Sequence, residues 1–291
     1  MSMIRKVFAY GFPLAGNFGG PSVVHGLREA FREVCPDAEF VCWDRSGLDP
    51  IVCDEMDFPV RRDPYFRHPA KLLRDYVATQ WFRLRPRGED KRAFWRDFRE
   101  SDVVVNCYAI SFHRKKGDSV HRHPFLAAIR RVLDFYGVSI LARLTGRLSV
   151  KSASSYGPMA TDYEKEVARL AAKFCFTRFI AREKESAEEL RRVVGMADPV
   201  PVSPDVGNLM PLGGDAEVVQ GRVGIAVSFR IVKEWEGKAE DYVACLAKLI
   251  SHLRDMHGCS VLLIPNQLAR AEGPNDAEIA ERITETLSDR S

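Results

Sequence analysis

The fold is decided by residues 6–34, KVFAYGFPLAGNFGGPSVVHGLREAFREV, in which three kinds of segment follow one another. Residues 6–10 predict a short buried strand, and residues 11–20 form a glycine-rich loop. Beyond the loop, apolar side chains recur at the spacing of one helix face: Val23, Val24, Leu27, Phe31 and Val34. The order strand, loop, helix is typical of a parallel sheet whose two faces are covered by helices.

The same unit recurs along the chain. Residues 39–43, 103–106 and 178–181 predict further strands. Thr161 and Glu164 form the pattern of a capping box, which predicts a helix through about residue 173. A helix predicted over residues 183–194 ends at a glycine, the residue most common just beyond a helix C-terminus.

A glycine-rich stretch without apolar periodicity, residues 213–221, predicts a domain boundary. Residues 1–212 are the predicted N-terminal Rossmann-like domain, and residues 222–291 a partial C-terminal one with two strand–helix units. The predicted fold is therefore α/β, with two Rossmann-like domains and an incomplete second one.

Composition limits the class of protein. The 291 residues carry 43 basic and 40 acidic side chains, so a net charge of +3 does not by itself attract nucleic acid. Seven cysteines without Cys-x-x-Cys spacing indicate buried free thiols in a reducing compartment. No apolar run approaches the roughly 20 residues of a membrane span. These features predict a cytoplasmic protein.

Residues 61–99 form a basic insertion rich in aromatic side chains, with twelve Lys or Arg against five Asp or Glu. Two interpretations are open. The stretch could dock on an anionic membrane surface or a lipid-linked acceptor presented there. It could equally be a helical insertion whose aromatics pack on the core and whose arginines are solvated. No nucleic-acid motif accompanies it, so nucleic acid is not a predicted partner.

Two polar segments are candidate ligand sites. Gly16, Asn17, Phe18 and Gly19 lie between strand and helix, where glycines let backbone amides approach a ligand, although a plain turn explains them equally well. Residues 151–158, KSASSYGP, are predicted to be a hydroxyl-rich turn before the capped helix. That turn would suit a sugar or a carboxylate, but an ordinary serine-rich connection is the plainer explanation.

Charged residues also follow several predicted strands. Arg182, Asp205 and Arg230 fall just past strand ends, the edge at which open parallel sheets bind ligands. His113, His121 and His123 invite a metal interpretation, but they lack a complementary acidic or cysteine set, so no metal is predicted and a mobile basic loop is favoured.

In their order along the chain, these segments resemble the polysaccharide pyruvyl transferase family. The resemblance runs through Gly16 to Gly19, residues 101–105, residues 151–158, Arg182 with Ser186, Asp205, the strand before Arg230, and residues 263–266 with Asp276. The chain departs from the family at Gly20, where an acidic residue is usual, and at residues 106–111. It reaches Ser291 without the family's C-terminal Arg-Leu-His segment.

The resemblance implies a glycosyltransferase-B-like pair of domains and an enzyme that moves a pyruvyl group from phosphoenolpyruvate onto a polysaccharide or its lipid-linked precursor. The expected donor is phosphoenolpyruvate, without a cofactor, and the expected acceptor a glycan, with possible peripheral membrane contact. The chemistry needs cations for phosphate and carboxylate and a general acid. Arg182 and Arg230 are the expected anion-binding catalytic groups and His113 the expected acid. The expected substrate-binding residues are Gly16, Asn17, Phe18, Gly19, Lys151, Ser155, Gly157, Asp205 and Asn266.

Two other functions stay open. A sugar-nucleotide-dependent glycosyltransferase would use a similar architecture and similar anion-binding edges. A non-catalytic glycan-binding or scaffold protein is the second alternative. The identity of the donor separates the three functions.

Overall fold

The computed structural model describes residues 4–11, 19–44, 56–66, 68–108, 110–112, 123–210, 220–228, 238–266 and 275–288. These residues belong to two compact units, one built mainly from Gly20–Pro211 with the N-terminal strand, the other from Leu212–Ser291. The predicted domain boundary falls largely on residues 211–219, which lie outside the described residues.

The first unit is built on a parallel sheet. Its strands are β1 (Lys6–Tyr10), β2 (Glu39–Asp44), β3 (Val60–Arg62), β4 (Val103–Asn106), β5 (Ile110–Ser111), β6 (Leu148–Tyr156) and β7 (Arg178–Ala181). Hydrogen bonding gives the order β3-β2-β1-β4-β6, with β7 on the far side of β6 and β5 pairing Ser155 and Tyr156 at its end. All of these pairings are parallel.

Six helices cover the sheet in the described part of this unit. They are α1 (Gly19–Val34), α2 (Pro69–Gln80), α3 (Glu89–Glu100), α4 (Pro124–Leu144), α5 (Asp162–Phe174) and α6 (Lys184–Val194). Because side chains alternate along a strand, β1 feeds two cores: Val7 and Ala9 pack with Leu27 of α1, and Phe8 packs with Phe94 of α3. Burial on both faces explains the near-continuous apolar runs of these strands.

The second unit contains β8 (Arg222–Val227) and β9 (Ser260–Pro265), paired in parallel, with α7 (Ala239–His257) and α8 (Asp276–Ser288). Val227, Ile250, Ile279 and Ile283 form its core on one face of the two strands. The predicted α/β fold with Rossmann-like units of strand and helix is confirmed.

Local signals for helix ends were also correct. Thr161 Oγ1 accepts a hydrogen bond from Glu164 N (3.3 Å), and Glu164 Oε2 accepts one from Thr161 N (2.7 Å), which completes the capping box. Gly195 ends α6 with φ of 75°, a left-handed conformation that favours glycine.

The prediction of a polar turn over residues 151–158 was wrong. Residues 151–156 belong to β6, and only Gly157 (φ 85°) and Pro158 form the turn beyond it. Ser154 fits a buried strand because its hydroxyl finds backbone partners: Ser154 Oγ donates to Tyr108 O (2.7 Å) or to Ser152 O (2.8 Å). Polarity was mistaken for exposure.

The basic aromatic insertion is divided between core and surface. Tyr65, Phe94 and Trp95 are buried against the sheet, whereas Trp81 and Phe82 are exposed. The buried aromatics confirm the core-packing interpretation for part of the stretch, and membrane docking by the exposed aromatics stays a prediction. Among the described residues, no helix combines the length and the apolar character needed to span a bilayer.

The cysteines are free thiols wherever they are described, but they are not all buried. Cys42, Cys107 and Cys175 lie in the core, whereas Cys245 is exposed. The prediction of uniformly buried thiols was wrong for the second unit, because Cys245 lies on a solvent-facing side of α7.

Candidate functional site

The strand order sets the place where a ligand would bind. The chain moves outward from β1 to β2 and β3, then crosses to the other side of β1 to form β4. Such a reversal leaves a crevice beyond the carboxyl ends of the two central strands, and open α/β sheets bind ligands there. Gly11, Asn106, Gly157 and Arg182 follow or end β1, β4, β6 and β7, so they mark this edge.

Arg182 is the best-defined charged group at the edge. Its Nε and Nη2 donate to Ser155 Oγ at 3.1 and 2.6 Å, and its Nη1 donates to Asp205 Oδ2 at 2.5 Å. The arginine and aspartate side chains are 24% and 28% exposed, so the ion pair lies partly open to solvent. Within the described residues, two of the five guanidinium N–H groups of Arg182 have no hydrogen-bond partner.

Asp205 links this cluster to helix α1. Its Oδ1 accepts a hydrogen bond from Gly207 N (2.9 Å) and caps a 3₁₀ turn, Val206–Leu209. The turn packs closely against α1, since a Cβ added at Gly26 would lie 1.6 Å from Val206 O. The ion pair is therefore connected to α1 through this turn.

Lys151 is completely buried in β6, beside the same edge. Its Nζ donates to Tyr108 O (2.5 Å) and to Ser154 Oγ (2.7 Å). The pKa of Lys151 is lowered to about 7, mainly by burial; Cys107 opposes this shift, and the Arg182 charge contributes to it. Near neutral pH the amine can therefore exist without its proton, which an exposed lysine cannot do.

Asn106 ends β4 at the crevice and is completely buried. Its Oδ1 accepts a hydrogen bond from Tyr108 N (3.3 Å) and shapes the chain after β4. Gly11, after β1, has φ of 96°, and a Cβ there would lie 2.7 Å from Asn106 Nδ2. Glycine is required here by both backbone conformation and the close approach of the asparagine.

A pair of buried aspartates lies farther along the same edge. Asp44 ends β2, Asp63 follows β3, and Asp63 N donates to Asp44 O (2.7 Å). Asp63 Oδ1 accepts a hydrogen bond from Tyr65 N (2.8 Å), yet burial raises the pKa of Asp63 to about 7. Asp63 also lines a small cavity of about 20 Å³ together with Gly11 and Tyr108.

The structure brings Lys151, Ser155, Gly157, Arg182 and Asp205 to one edge of one sheet. Gly19 is the exposed first residue of α1. Asn266 follows β9 in the second unit and is exposed.

The remaining predicted site residues lie outside the described residues, and their roles stay predictions. These are Gly16, Asn17, Phe18, His113 and Arg230. In the part of the chain that is described, no group of three or more His, Cys, Asp or Glu side chains could hold a metal ion.

Asp63, Asn106 and Ser154 were missed as site residues. A polar residue directly after an apolar run was the available signal, since Asn106 ends VVVN and Asp44 ends FVCWD. Asp63 carried a weaker signal because β3 has only three residues and two of them are arginines.

The arrangement can hold an anionic, hydroxyl-bearing ligand. Arg182 offers a planar donor group and Ser155 a hydroxyl, while Lys151 and Asp63 can change protonation near neutral pH.

No family model matches the sequence, and no curated protein matches it. Among solved structures, Alr3699/HepE of Anabaena in complex with UDP-glucose is similar over 98% of this chain and 67% of that chain, with a TM-score of 0.51 and 14% identity. The same protein with UDP gives a TM-score of 0.48 at 15% identity, over 98% of this chain and 67% of that one. The E. coli heptosyltransferase WaaC with ADP-2-deoxy-2-fluoro heptose gives 0.38 at 15% identity, over 98% and 74%. The chain is thus similar in fold to proteins of the glycosyltransferase-B architecture.

Proposed function

We propose that this chain belongs to a sugar-nucleotide-dependent glycosyltransferase, which moves a glycosyl group from a nucleoside diphosphate sugar onto a glycan acceptor. The observation that carries the proposal is the cluster of Arg182, Ser155 and Asp205 at the carboxyl edge of a parallel sheet whose strand order creates a crevice. Such an edge is where doubly wound sheets bind nucleotide-containing ligands.

The chemistry of the donor fits this edge. In glycosyl transfer, the acceptor hydroxyl attacks the anomeric carbon, the bond from that carbon to the diphosphate oxygen breaks, and the hydroxyl proton passes to a base. Negative charge grows on the departing diphosphate. Arg182, with two N–H groups unpartnered among the described residues, can donate to that charge while Asp205 holds its guanidinium in place.

The similar fold of a protein bound to UDP-glucose supports the choice of donor. The second unit, with its own parallel strand pair and helices, fits an architecture of two Rossmann-like halves. The identities of the substrate and the acceptor are proposals, because a similarity at 14% identity shows only the fold.

Pyruvyl transfer from phosphoenolpyruvate is the second candidate. The order of segments that resembles the pyruvyl transferase family favours it, and Arg182 beside Lys151 would suit a donor with both phosphate and carboxylate. Arg182 keeps the same two N–H groups for either donor, so the preference for a nucleotide sugar rests on the crevice and on the similar fold.

A donor panel distinguishes the two candidates. The chain is titrated calorimetrically with UDP-glucose, ADP-glucose, GDP-mannose and phosphoenolpyruvate, and release of nucleoside diphosphate or phosphate is followed with mixed glycan acceptors. We expect a nucleotide sugar to bind and Arg182→Ala to weaken it about 10- to 100-fold, the loss of one charge-assisted hydrogen bond.

Arg178→Ala is the matched control, because Arg178 begins β7, the strand that Arg182 follows, and is exposed, with Thr177 O as its partner. Equal weakening by both substitutions would contradict the proposed site. Binding of phosphoenolpyruvate alone would replace the proposal with pyruvyl transfer, and glycan binding without any donor would favour the scaffold function.

A further inference from the structure

The turn after helix α2 exposes an unusual group of apolar side chains. Trp81, Phe82 and Leu84 are 79%, 68% and 61% exposed, and Leu73 on α2 is 56% exposed. Single exposed apolar residues are ordinary on a protein surface. Three within four consecutive positions, two of them aromatic, form a local patch, which indicates an interaction surface.

The turn has a defined conformation. Trp81 N donates to Val77 O (2.9 Å), and Leu84 N donates to Ala78 O (3.0 Å), so the chain beyond α2 is tied back to the helix. Arg83 takes φ of 50°, the left-handed region that side chains other than glycine seldom adopt. These bonds hold the patch outward, and exposure is therefore a property of the folded backbone.

Positive charge surrounds the patch. Arg83, Arg85 and Arg87 are exposed, and residues 81–87 contain no acidic side chain. Across the described part of the chain, no ion pair involves any of these three arginines. The nearest acids along the chain, Glu89 and Asp90, belong to the first turn of α3, where the helix dipole favours them.

We propose that the tip formed by residues 81–87, hereafter the arginine–tryptophan tip, inserts into the headgroup layer of an anionic lipid bilayer. Tryptophan and phenylalanine partition to this interface, leucine gains by reaching the acyl boundary, and arginine is attracted to anionic headgroups. This surface is separate from the sheet edge of the proposed transferase site and does not depend on it.

A nucleic acid is the less suitable partner for the same residues. Leucine side chains offer neither stacking nor hydrogen bonds to bases, whereas Leu73 and Leu84 contribute much of the exposed apolar surface. The other aromatics of the insertion, such as Phe94 and Trp95, are buried in the core and cannot supply a stacking platform. The exposed composition therefore favours a bilayer.

Vesicle co-sedimentation tests the proposal with the whole chain. Vesicles of phosphatidylcholine alone are compared with vesicles containing 30% phosphatidylglycerol, a composition chosen so that roughly one headgroup in three is anionic. We expect binding to the anionic vesicles that weakens with salt, and a blue shift of tryptophan emission that Trp81→Phe reduces. Arg83→Gln/Arg85→Gln/Arg87→Gln should reduce partitioning about 100-fold, given roughly tenfold or less per charge.

Matched controls keep the test specific. The control for charge is Arg130→Gln/Arg178→Gln/Arg254→Gln, which removes the same charge from exposed positions elsewhere. The apolar side chains of the tip are removed in a second tip variant, Trp81→Ser/Phe82→Ser/Leu84→Ser. Its control is Val34→Ser/Leu144→Ser/Met256→Ser, which removes side chains that are equally exposed. Circular dichroism confirms that each variant is folded. Equal recovery with neutral and anionic vesicles, equal loss in tip and control variants, or binding of an oligonucleotide in preference to vesicles would each overturn the proposal.

Discussion

Lys151 lies wholly inside the first unit, and its two described hydrogen-bond acceptors are a carbonyl and a hydroxyl rather than a carboxylate. A buried ammonium without a carboxylate partner costs free energy, which is why its pKa falls to about 7 from 10.5. This free-energy cost is complete below pH 7. It disappears as the pH rises toward 10.5, the pKa of lysine in the unfolded chain, since the amine is then neutral in both the folded and the unfolded state.

Replacing Lys151 by methionine should therefore stabilise the fold most at low pH. The shift corresponds to about 5 kcal/mol at most, because one pKa unit equals about 1.4 kcal/mol. We expect the free energy of unfolding in urea to exceed that of the parent below pH 7 and the difference to shrink between pH 7 and 10. A difference that does not change with pH would show that the amine is protonated throughout.

Asp63 should show the opposite pH dependence. Its pKa is raised by burial to about 7 in the folded protein, so the ionised carboxylate destabilises the fold above pH 7 and the protonated form does not. Asp63→Asn should stabilise the protein by up to about 4 kcal/mol above pH 7, with the gain fading as the pH falls toward 4.

Urea titrations of the Asp63→Asn and Lys151→Met variants side by side provide an internal control, because their stability gains must vary with pH in opposite directions. A gain for Asp63→Asn that persists unchanged at pH 4 would place the effect in packing rather than in ionisation.

At the scale of the element, helix α1 and the 3₁₀ turn are fitted to each other through a glycine. A Cβ at Gly26 would meet the backbone oxygen of Val206 at 1.6 Å, and backbone cannot yield as a flexible side chain can. Gly26→Ala should cost about 3 kcal/mol or more, the range of severe core overpacking, or it should displace the turn and break the Asp205–Arg182 pair.

Gly137→Ala in α4 is the control for this substitution. Its Cβ would meet only the end of the Leu72 side chain at 3.1 Å. We therefore expect the free energy of unfolding to change by less than about 1 kcal/mol, since alanine lowers the conformational entropy of the unfolded chain. Thermal unfolding measures both effects. Donor binding of Gly26→Ala shows whether the turn has moved, and equal stability of the two variants would contradict the packing argument.

Elements were predicted where local chemistry determines them. The strand over residues 103–106, the capping box at Thr161 and the glycine end of α6 depend on neighbours within a few residues, and all three were correct. β6 was missed because its serines favour a turn, whereas the Ser154 hydroxyl is buried and donates to Tyr108 O, more than forty residues away. A hydrogen bond to a residue distant in the sequence cannot be inferred from the few residues around the serine.

The candidate site was likewise predictable only where neighbouring residues determine it. Arg182 and Asp205 could be placed at strand ends from the sequence, but their mutual ion pair could not, since it joins residues 23 positions apart. Asp63 escaped notice because its raised pKa arises from burial in the folded protein, a tertiary effect.

At the scale of the whole molecule, the two units differ in how well their strands are protected. β1 and β4 are buried on both faces, whereas β8 and β9 are covered on one side only, with Leu262 and Ile264 51% and 47% exposed. Opening of the small unit should therefore require less free energy.

Hydrogen exchange read by mass spectrometry should show this difference directly. Peptides from β9 are expected to exchange at least about tenfold faster than peptides from β4 under native conditions, since protection follows local opening free energy. The α7 peptide serves as a reference within the second unit. Equal protection of β4 and β9 would mean that the exposed face is covered in solution.

The place of β1 in the sheet has a consequence for biosynthesis. Val7 pairs with Val103, so the central strand must wait for a partner that is made about a hundred residues later, and at about 5–20 residues per second that interval lasts about 5 to 20 seconds. β4 in turn waits for β6, which pairs it through Val103 and Leu148. The nascent chain thus carries its most apolar strands on the ribosome before both of their neighbours exist, and its yield in the cell depends on what shields them during that time.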